Sequence, residues 1–539
     1  MLPVTLFLEA AAQYPYSLAL RTLGSNGYSF TYAQLLDRVK RVSHALRSEI
    51  AEKGERVALV AENSPYWGAA YLSIIAAGAT VVPFDMNLPL TEIDFILRDS
   101  GASVIVASET AFAKMSALLT ESSIKRIPIA GDFPAPETWE VGGFAENAAL
   151  VYTSGTTGVA KGVMLSGEAI TSNITGARDR FQVANEERFF SILPLYHTYE
   201  CTCGLLLPLS LGASVSYARS LKPNELLEDA RTVRPTLMLA VPLILEKIRN
   251  GIFRKARETT PIRHWMFHTL LRLGYLTAKH PGGGLGVGLF RSVRKQMGLD
   301  QIKLLVSGGA ALPHSIERDF MALGFPILQG YGLSECAPLV AVNSPWQHRF
   351  GSVGKPLGYA ETRIESPDSE GVGMLYVRGP MVMNGYWNNP EKTTEVIDKD
   401  GWFKTGDLGK IDNDGMLYIV GRRKDVIVTA AGKNIYPETL EQALLEDERI
   451  LETVVIGRPR KQGQGEEIGV IIVFNPDWIA TESESHRTYT DEQLQRLAVD
   501  IVAKVNEGQP DYRRITRIEV SKEELEKTNT RKIRRYKYK

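Results

Sequence analysis

The sequence predicts an α/β protein with a large N-terminal domain of parallel and mixed sheets with helices, a β-rich subdomain, and a small α+β domain at the C-terminus. Three observations carry this expectation. Short apolar segments alternate with helical ones through the first half, the pattern of a mostly parallel sheet. Between 350 and 420 the helical patterning gives way to short strands punctuated by glycine. A charged break, Gly421-Arg422-Arg423-Lys424-Asp425, then separates the apolar segments 417–420 and 426–428, and divides the chain into 1–422 and 423–539.

Length and composition bound the function. A chain of 539 residues is too long for one ordinary domain. Lys+Arg and Asp+Glu are both 62, so no global charge draws it to nucleic acid or to a membrane surface. Three cysteines make no disulfide framework and point to a reducing compartment. Residues 1–13 lack a basic region, and Glu9 interrupts their apolar run, so they read as an amphipathic helix and not as a secretory signal. No apolar run reaches the roughly eighteen residues a membrane span needs. The expectation is a cytoplasmic protein, with association at the inner face of the membrane as a second option and no more than peripheral contact there.

Taken in order, 57–61, 79–84 and 104–107 are strand candidates, with a nearly wholly apolar helix at 67–77. The stretch Tyr152-Thr153-Ser154-Gly155-Thr156-Thr157-Gly158-Val159-Ala160-Lys161-Gly162-Val163 follows an apolar lead-in. Glycines let backbone N–H groups face a ligand, hydroxyls add donors, and the lysine adds a mobile charge, a combination suited to polyphosphate. It is not a Walker loop, which needs Gly-Lys-Ser/Thr run together; a plain surface turn is the competing reading. Residues 189–193 form a strand ending at Pro194, and His197 follows closely, where open α/β sheets bind ligands. A locally hydrogen-bonded structural histidine is equally compatible. Cys201 and Cys203 lack the further ligands of a zinc site.

Residues 251–300 interleave basic and aromatic side chains and predict an amphipathic helical excursion with a solvated face, in preference to a nucleic-acid site. A strand at 304–307 ends in small residues, among them Gly309 and Ala310. Then comes Tyr331-Gly332-Leu333-Ser334-Glu335, which offers an aromatic face, a hydroxyl and a hard oxygen ligand for magnesium. In the β-rich zone Asp407 is suited to accept hydrogen bonds from vicinal hydroxyls, and 412–415 reads as a hairpin turn and not a calcium loop. After 423, a helix at 437–445 and strands at 453–456 and 468–474 make a compact unit, ending in a basic tail.

In this order the motifs resemble the adenylate-forming superfamily, most closely the long-chain fatty acid–CoA ligases. The resemblance runs from the 152–163 loop through 331–335, 401–409 and 421–441 to 530–534. It implies a carboxylic acid activated by ATP to an acyl-adenylate with release of pyrophosphate, then passed to a thiol, with Mg²⁺ required. By resemblance, Thr153 to Gly158 and Lys161 hold the β- and γ-phosphates, and Ser334 touches the α-phosphate. Glu335 holds Mg²⁺. Tyr331 stacks on adenine beside Gly309, Ala310 and Gly332, and Asp407 and Arg422 hold the ribose. His197 sits beside the acyl pocket. Lys532 bridges the carboxylate and α-phosphate during adenylation, although Arg531 stands where relatives carry glycine; Lys527 is the rival. Lys424 is the hinge on which a mobile C-terminal lid turns, and Gly432 lines the thiol channel.

No aspartate follows the aromatic near His197, as it does in amino-acid adenylating relatives, so an amino acid is not expected; the apolar stretch 201–211 and the amphipathic segment 251–300 resemble those of long-chain acyl-CoA synthetases, which implies a fatty acid. Each buried CH₂ contributes about 0.8 kcal/mol, enough for a long chain to supply much of the binding. Medium-chain and aryl acids stay open. Coenzyme A is the expected acceptor, with an acyl-carrier protein the rival and a luciferase-like oxidoreductase a third reading. Oligomeric state is not legible.

Overall fold

A computed structural model of the chain describes residues 2–539 apart from 25–26, 121, 144, 154–159, 279–283, 430–431, 448, 460–464, 477, 480–488 and 528–532. Among the described residues the large domain holds two major sheets. A nine-stranded sheet runs from Lys355–Pro356 at one edge, through Leu339–Val342, Ile327–Gly332, Leu304–Ser307, Leu237–Ala240, Arg188–Ser191 and Ser214–Tyr217, to Leu18–Thr22 and Ser29–Thr31. Its central pairs are parallel and its edges antiparallel. A seven-stranded sheet has Arg56–Val60, Thr80–Pro83 and Val104–Ala107 at its parallel centre, and ends on Ala149–Thr153, Lys161–Leu165 and Gly385–Tyr386.

Helix Pro65–Ala76 contacts strands of both sheets, which is why it is apolar all round. Ser64 caps it by accepting from Trp67 N, and proline fills its first turn. The β-rich zone is an antiparallel four-stranded sheet: Glu361–Glu365, Gly373–Arg378, Phe403–Ile411 and Leu417–Arg422. At its Asp412 turn, Oδ1 accepts from Asp414 N and Met416 N, as hairpin chemistry requires. Beyond the turn Arg423–Asp425, the antiparallel pair Ile450–Pro459 and Glu466–Phe474, extended in parallel by Ile515–Ser521, packs with helices Pro437–Leu444 and Asp491–Asn506 around its own core of Leu440, Val455, Val470 and Ile501.

Residues 251–300 are helical as expected, but the outer face is not simply solvated. In helix Pro261–Thr277, Ile262, Trp265 and Leu276 are exposed. The helix packs on His314–Ala322, Gly286–Leu289 and Pro242–Arg257, and among the described residues these three side chains are left uncovered.

The segment after His197 contains a π-helix, Glu200–Leu206, against the strands Arg188–Ser191 and Leu237–Ala240. Glu200 is 1% exposed, and among the described residues neither carboxyl oxygen has a hydrogen-bond partner. Its carboxyl folds back over Gly204, where a Cβ would come within 2.6 Å. Burial pushes its pKa up to about 8, against a small opposing effect of the neighbouring Ser191 hydroxyl. Cys201, Cys203, Tyr199 and Tyr217 surround it, and none carries charge at neutral pH. Glu200 therefore stays protonated in the fold where an unfolded chain would ionise. Its contribution is unpenalised below the ordinary carboxylate range. It is eroded as pH rises toward 8, and is constant above that. Glu200→Gln removes this dependence. Thermal melts across pH 5 to 8 should show the variant gaining on the parent by at most about 1.4 kcal/mol per pH unit. A gap that does not change with pH would overturn the buried-acid assignment.

Candidate active site

The glycine- and threonine-rich stretch joins two antiparallel strands, Ala149–Thr153 and Lys161–Leu165, with Thr153 opposite Lys161 and Tyr152 opposite Gly162. Thr153 and Lys161 thus stand at the mouth of the loop. Ser154, Gly155, Thr156, Thr157 and Gly158 lie outside the described residues. The glycine after the lysine answers a packing demand: a Cβ on Gly162 would lie 2.9 Å from Leu150 and 3.1 Å from Trp387.

The other side of Lys161–Leu165 pairs with the short strand Gly385–Tyr386, Tyr386 opposite Val163. This register sets the Lys161 ammonium over the Tyr386 ring, 5.2 Å from its centroid. The Tyr386 hydroxyl donates to Glu335 Oε1 at 3.0 Å. Burial, then the Glu335 charge, raise the pKa of Tyr386, so it remains a donor. Tyr386 was missed in the sequence, because its only local signal is an aromatic after glycine ahead of the Pro390–Val396 helix.

Glu335 lies in the turn Ser334–Cys336, and its carbonyl accepts from Met383 N at 2.8 Å. Among the described residues its carboxylate carries no ion pair, and no cluster of three or more His, Cys, Asp or Glu forms a metal cage. One carboxylate with spare acceptor capacity fits a magnesium ion held mainly by water and phosphate oxygens.

On the opposite side, Tyr331 Oη donates to Asp407 Oδ2 at 2.7 Å, and Arg422 Nε lies 3.0 Å from Oδ1. Asp407 and Arg422 are register partners on adjacent strands. The Asp407 side chain is 5% exposed, and its charge raises the pKa of Arg422. A carboxylate offers about four lone-pair sites, so acceptor capacity is left for a hydroxylated ligand. Gly309 and Ala310 are exposed just past the strand Leu304–Ser307, and Gly309 has φ +82°. Gly332 is pinned by Pro338, whose carbonyl oxygen would lie 2.2 Å from an added Cβ.

His197 sits in the turn after Arg188–Ser191, its N–H donating to Pro194 O at 3.2 Å. Asn63 clamps that turn, donating to Leu193 O at 2.6 Å and accepting from Leu195 N at 3.0 Å. Asn63 was also missed, since an asparagine between a strand and a capping serine looks like any loop residue. Cys201 and Cys203 are buried free thiols.

In the C-terminal domain, Lys424 has its pKa lowered, first by burial, and its carbonyl accepts from Lys539 Nζ at 3.2 Å. Gly432 is exposed in a turn with φ +69° and nothing near its Cβ position. Lys532 lies outside the described residues. The rival Lys527 is committed to ion pairs with Glu452 and, at 2.8 Å, Glu524. Lys527 and Ile533 form an isolated antiparallel β-bridge. That bridge lies by the large domain, where Glu246 on helix Pro242–Arg257 feels the charges of Glu452 and Lys527. Val241, just before that helix, packs 3.6 Å from the Cβ position of Gly309.

The model of the AMP-binding enzyme family matches residues 7–387, and that of the AMP-binding enzyme C-terminal domain matches 424–538. A feruloyl-CoA synthase from Amycolatopsis sp is 31% identical over 481 residues, covering 87% of this chain and 88% of the relative. A long-chain-fatty-acid–CoA ligase from Bacillus subtilis is 29% identical, covering 87% and 85%. Among solved structures, ATP-bound MatB from Rhodopseudomonas palustris shares the fold with a TM-score of 0.79 at 24% identity, covering 100% of this chain and 98% of that one. On these matches, which together span most of its length, the chain belongs to the AMP-binding, adenylate-forming enzyme family.

Proposed function

We propose that the protein is an AMP-forming acid–thiol ligase that activates a fatty, long-chain carboxylic acid with ATP and transfers it to coenzyme A. The observation that carries the reading is the convergence of Lys161, Tyr386 and Glu335 on one side and Tyr331, Asp407 and Arg422 on the other. In the first step a carboxylate oxygen bonds to the α-phosphorus and the bond to the β-phosphate breaks, releasing pyrophosphate. Catalysis there is positioning and charge stabilisation. Thr153 and Lys161 face the leaving phosphates, with Ser154, Gly155, Thr156, Thr157 and Gly158 completing that cradle. Asp407 and Arg422 take the ribose hydroxyls, and Tyr331 with Gly309, Ala310 and Gly332 takes the base. Glu335 would hold Mg²⁺, which supplies charge neutralisation when bound. Ser334 serves the α-phosphate and His197 borders the acid.

Lys532 is proposed to neutralise the reacting carboxylate and α-phosphate. The engagement of Lys527 in ion pairs supports it, because a lysine held by two carboxylates is poorly placed to meet an anion. In the second step the thiol sulfur bonds to the acyl carbon and AMP leaves. The small domain, 423–539, is proposed to rotate about Lys424 between the steps and bring Gly432 to the thiol channel. The fatty-acid assignment is supported by the apolar, buried segment after His197 and by the Bacillus subtilis relative. The feruloyl-CoA synthase relative favours an aryl acid as the second reading.

Pyrophosphate release across a panel of fatty and aryl acids, with and without coenzyme A, tests the assignment; acid-independent or absent release would refute it. Replacing coenzyme A with an acyl-carrier protein that bears a free phosphopantetheine thiol separates the two acceptors. Lys532→Ala should cut adenylation by at least about a hundredfold and spare thioester formation from preformed adenylate. Lys424→Pro, by fixing φ, should do the reverse; equal loss in both half-reactions for Lys424→Pro would refute rotation. Tyr386→Phe keeps the ring under Lys161 but removes the bond to Glu335. It should lower adenylation kcat about tenfold or more and raise the magnesium requirement. An unchanged magnesium dependence would mean that the tyrosine does not orient Glu335.

A further inference from the structure

Helix Pro261–Thr277 presents a stripe that the fold leaves uncovered. Ile262, Trp265, Met266, Leu273 and Leu276 are 77, 68, 49, 42 and 77% exposed. At about 100° per residue they fall on one side of the helix, opposite the buried Leu271. Leu285, 54% exposed, extends the apolar surface beyond the helix end. Such a contiguous stripe on an otherwise ordinary surface marks an interaction site.

The charges around it are one-sided. Arg263 and Arg272 border the stripe on its two flanks and are exposed, and Arg254, Lys255 and Arg257 are exposed on the preceding helix. Between 251 and 299 the sequence has Glu258 as its one acidic residue, in a chain whose acids and bases balance overall. An apolar stripe with tryptophan in it and cations on both borders matches the interface of an anionic bilayer: the apolar side chains enter the acyl boundary while the arginines reach the headgroups. A protein partner would need matching acidic residues around an apolar groove, and no such groove is required by the borders seen here. No described helix is long and apolar enough to cross a membrane, so the contact is one of lying on the surface.

We propose that this face, Ile262 to Leu276 with its arginine borders, docks the protein on anionic phospholipid surfaces. None of these side chains is among those assigned to the nucleotide site, and the proposal is independent of which acid is activated.

Flotation with vesicles of phosphatidylcholine alone, or mixed with phosphatidylglycerol, tests it on the full-length protein. The parent should float with the mixed vesicles and not with phosphatidylcholine alone, and high salt should release it. Ile262→Ser with Trp265→Ser should reduce binding at least about tenfold. Arg263→Glu with Arg272→Glu should remove the preference for the anionic lipid. Both pairs should keep the parent's melting temperature and its pyrophosphate release from a water-soluble acid. Retained flotation in both pairs would overturn the proposal. So would a parent that is dimeric by sedimentation in the absence of lipid and becomes monomeric on Trp265→Ser, because the stripe would then be a contact between copies.

Discussion

The pair Asp407–Arg422 is the constraint on which the rest of the site depends. The Asp407 side chain is 5% exposed, and a carboxylate so buried is costly unless it is paired. Arg422 at 3.0 Å and the Tyr331 hydroxyl at 2.7 Å offset that cost and use separate oxygens to do so. Asp407 therefore ties together the Tyr331 side chain, from a strand inside the nine-stranded sheet, and two adjacent strands of the four-stranded sheet. Arg422 is also the last residue of its strand, directly before the turn Arg423–Asp425. Whatever moves beyond that turn starts from a point held by an ion pair.

The Lys161–Tyr386–Glu335 arrangement solves a different problem. A lysine and a glutamate placed together would neutralise each other, and a phosphate or a cation would have to break that bond before binding. Tyr386 stands between them, and among the described residues neither forms an ion pair. Its ring gives the ammonium a contact worth only about 0.5–1 kcal/mol at exposed sites. Its hydroxyl gives the carboxylate one hydrogen bond. Both charges are oriented and both remain available.

Much of this was legible in the sequence because the signals are local. Alternating apolar runs placed the parallel strands, and the clustering of glycine, threonine and lysine placed the loop. What the sequence hid was non-local. Tyr386 acquires its role from a two-residue strand paired far along the chain with Val163. Asn63 acquires its role from two backbone groups of the turn before His197. Glu200 carries no local signal of burial, and the π-helical segment leaves it 1% exposed. Helix Pro261–Thr277 carries apolar residues at two sets of positions, and periodicity alone does not say which set finds a neighbour.

The energetics of the two domains bear on how the chain could serve two successive reactions with one site. Among the described residues, contacts across the boundary are polar and individually weak: Tyr436 Oη donates to Asp368 at 2.8 Å, and Ser315 N donates to Glu446 at 3.0 Å. Each such bond contributes about 0.5–1.5 kcal/mol net, and water replaces it readily when it opens. Inside the small domain the contacts are of another kind. Leu444, Val455 and Ile472 are fully buried, and Arg535, held by Glu441 at 2.6 Å, ties the C-terminal tail to helix Pro437–Leu444. Separating the domains therefore costs far less than deforming either one. Arg422, on one side of the short turn Arg423–Asp425, is where the large domain's ion pair meets the start of the small one.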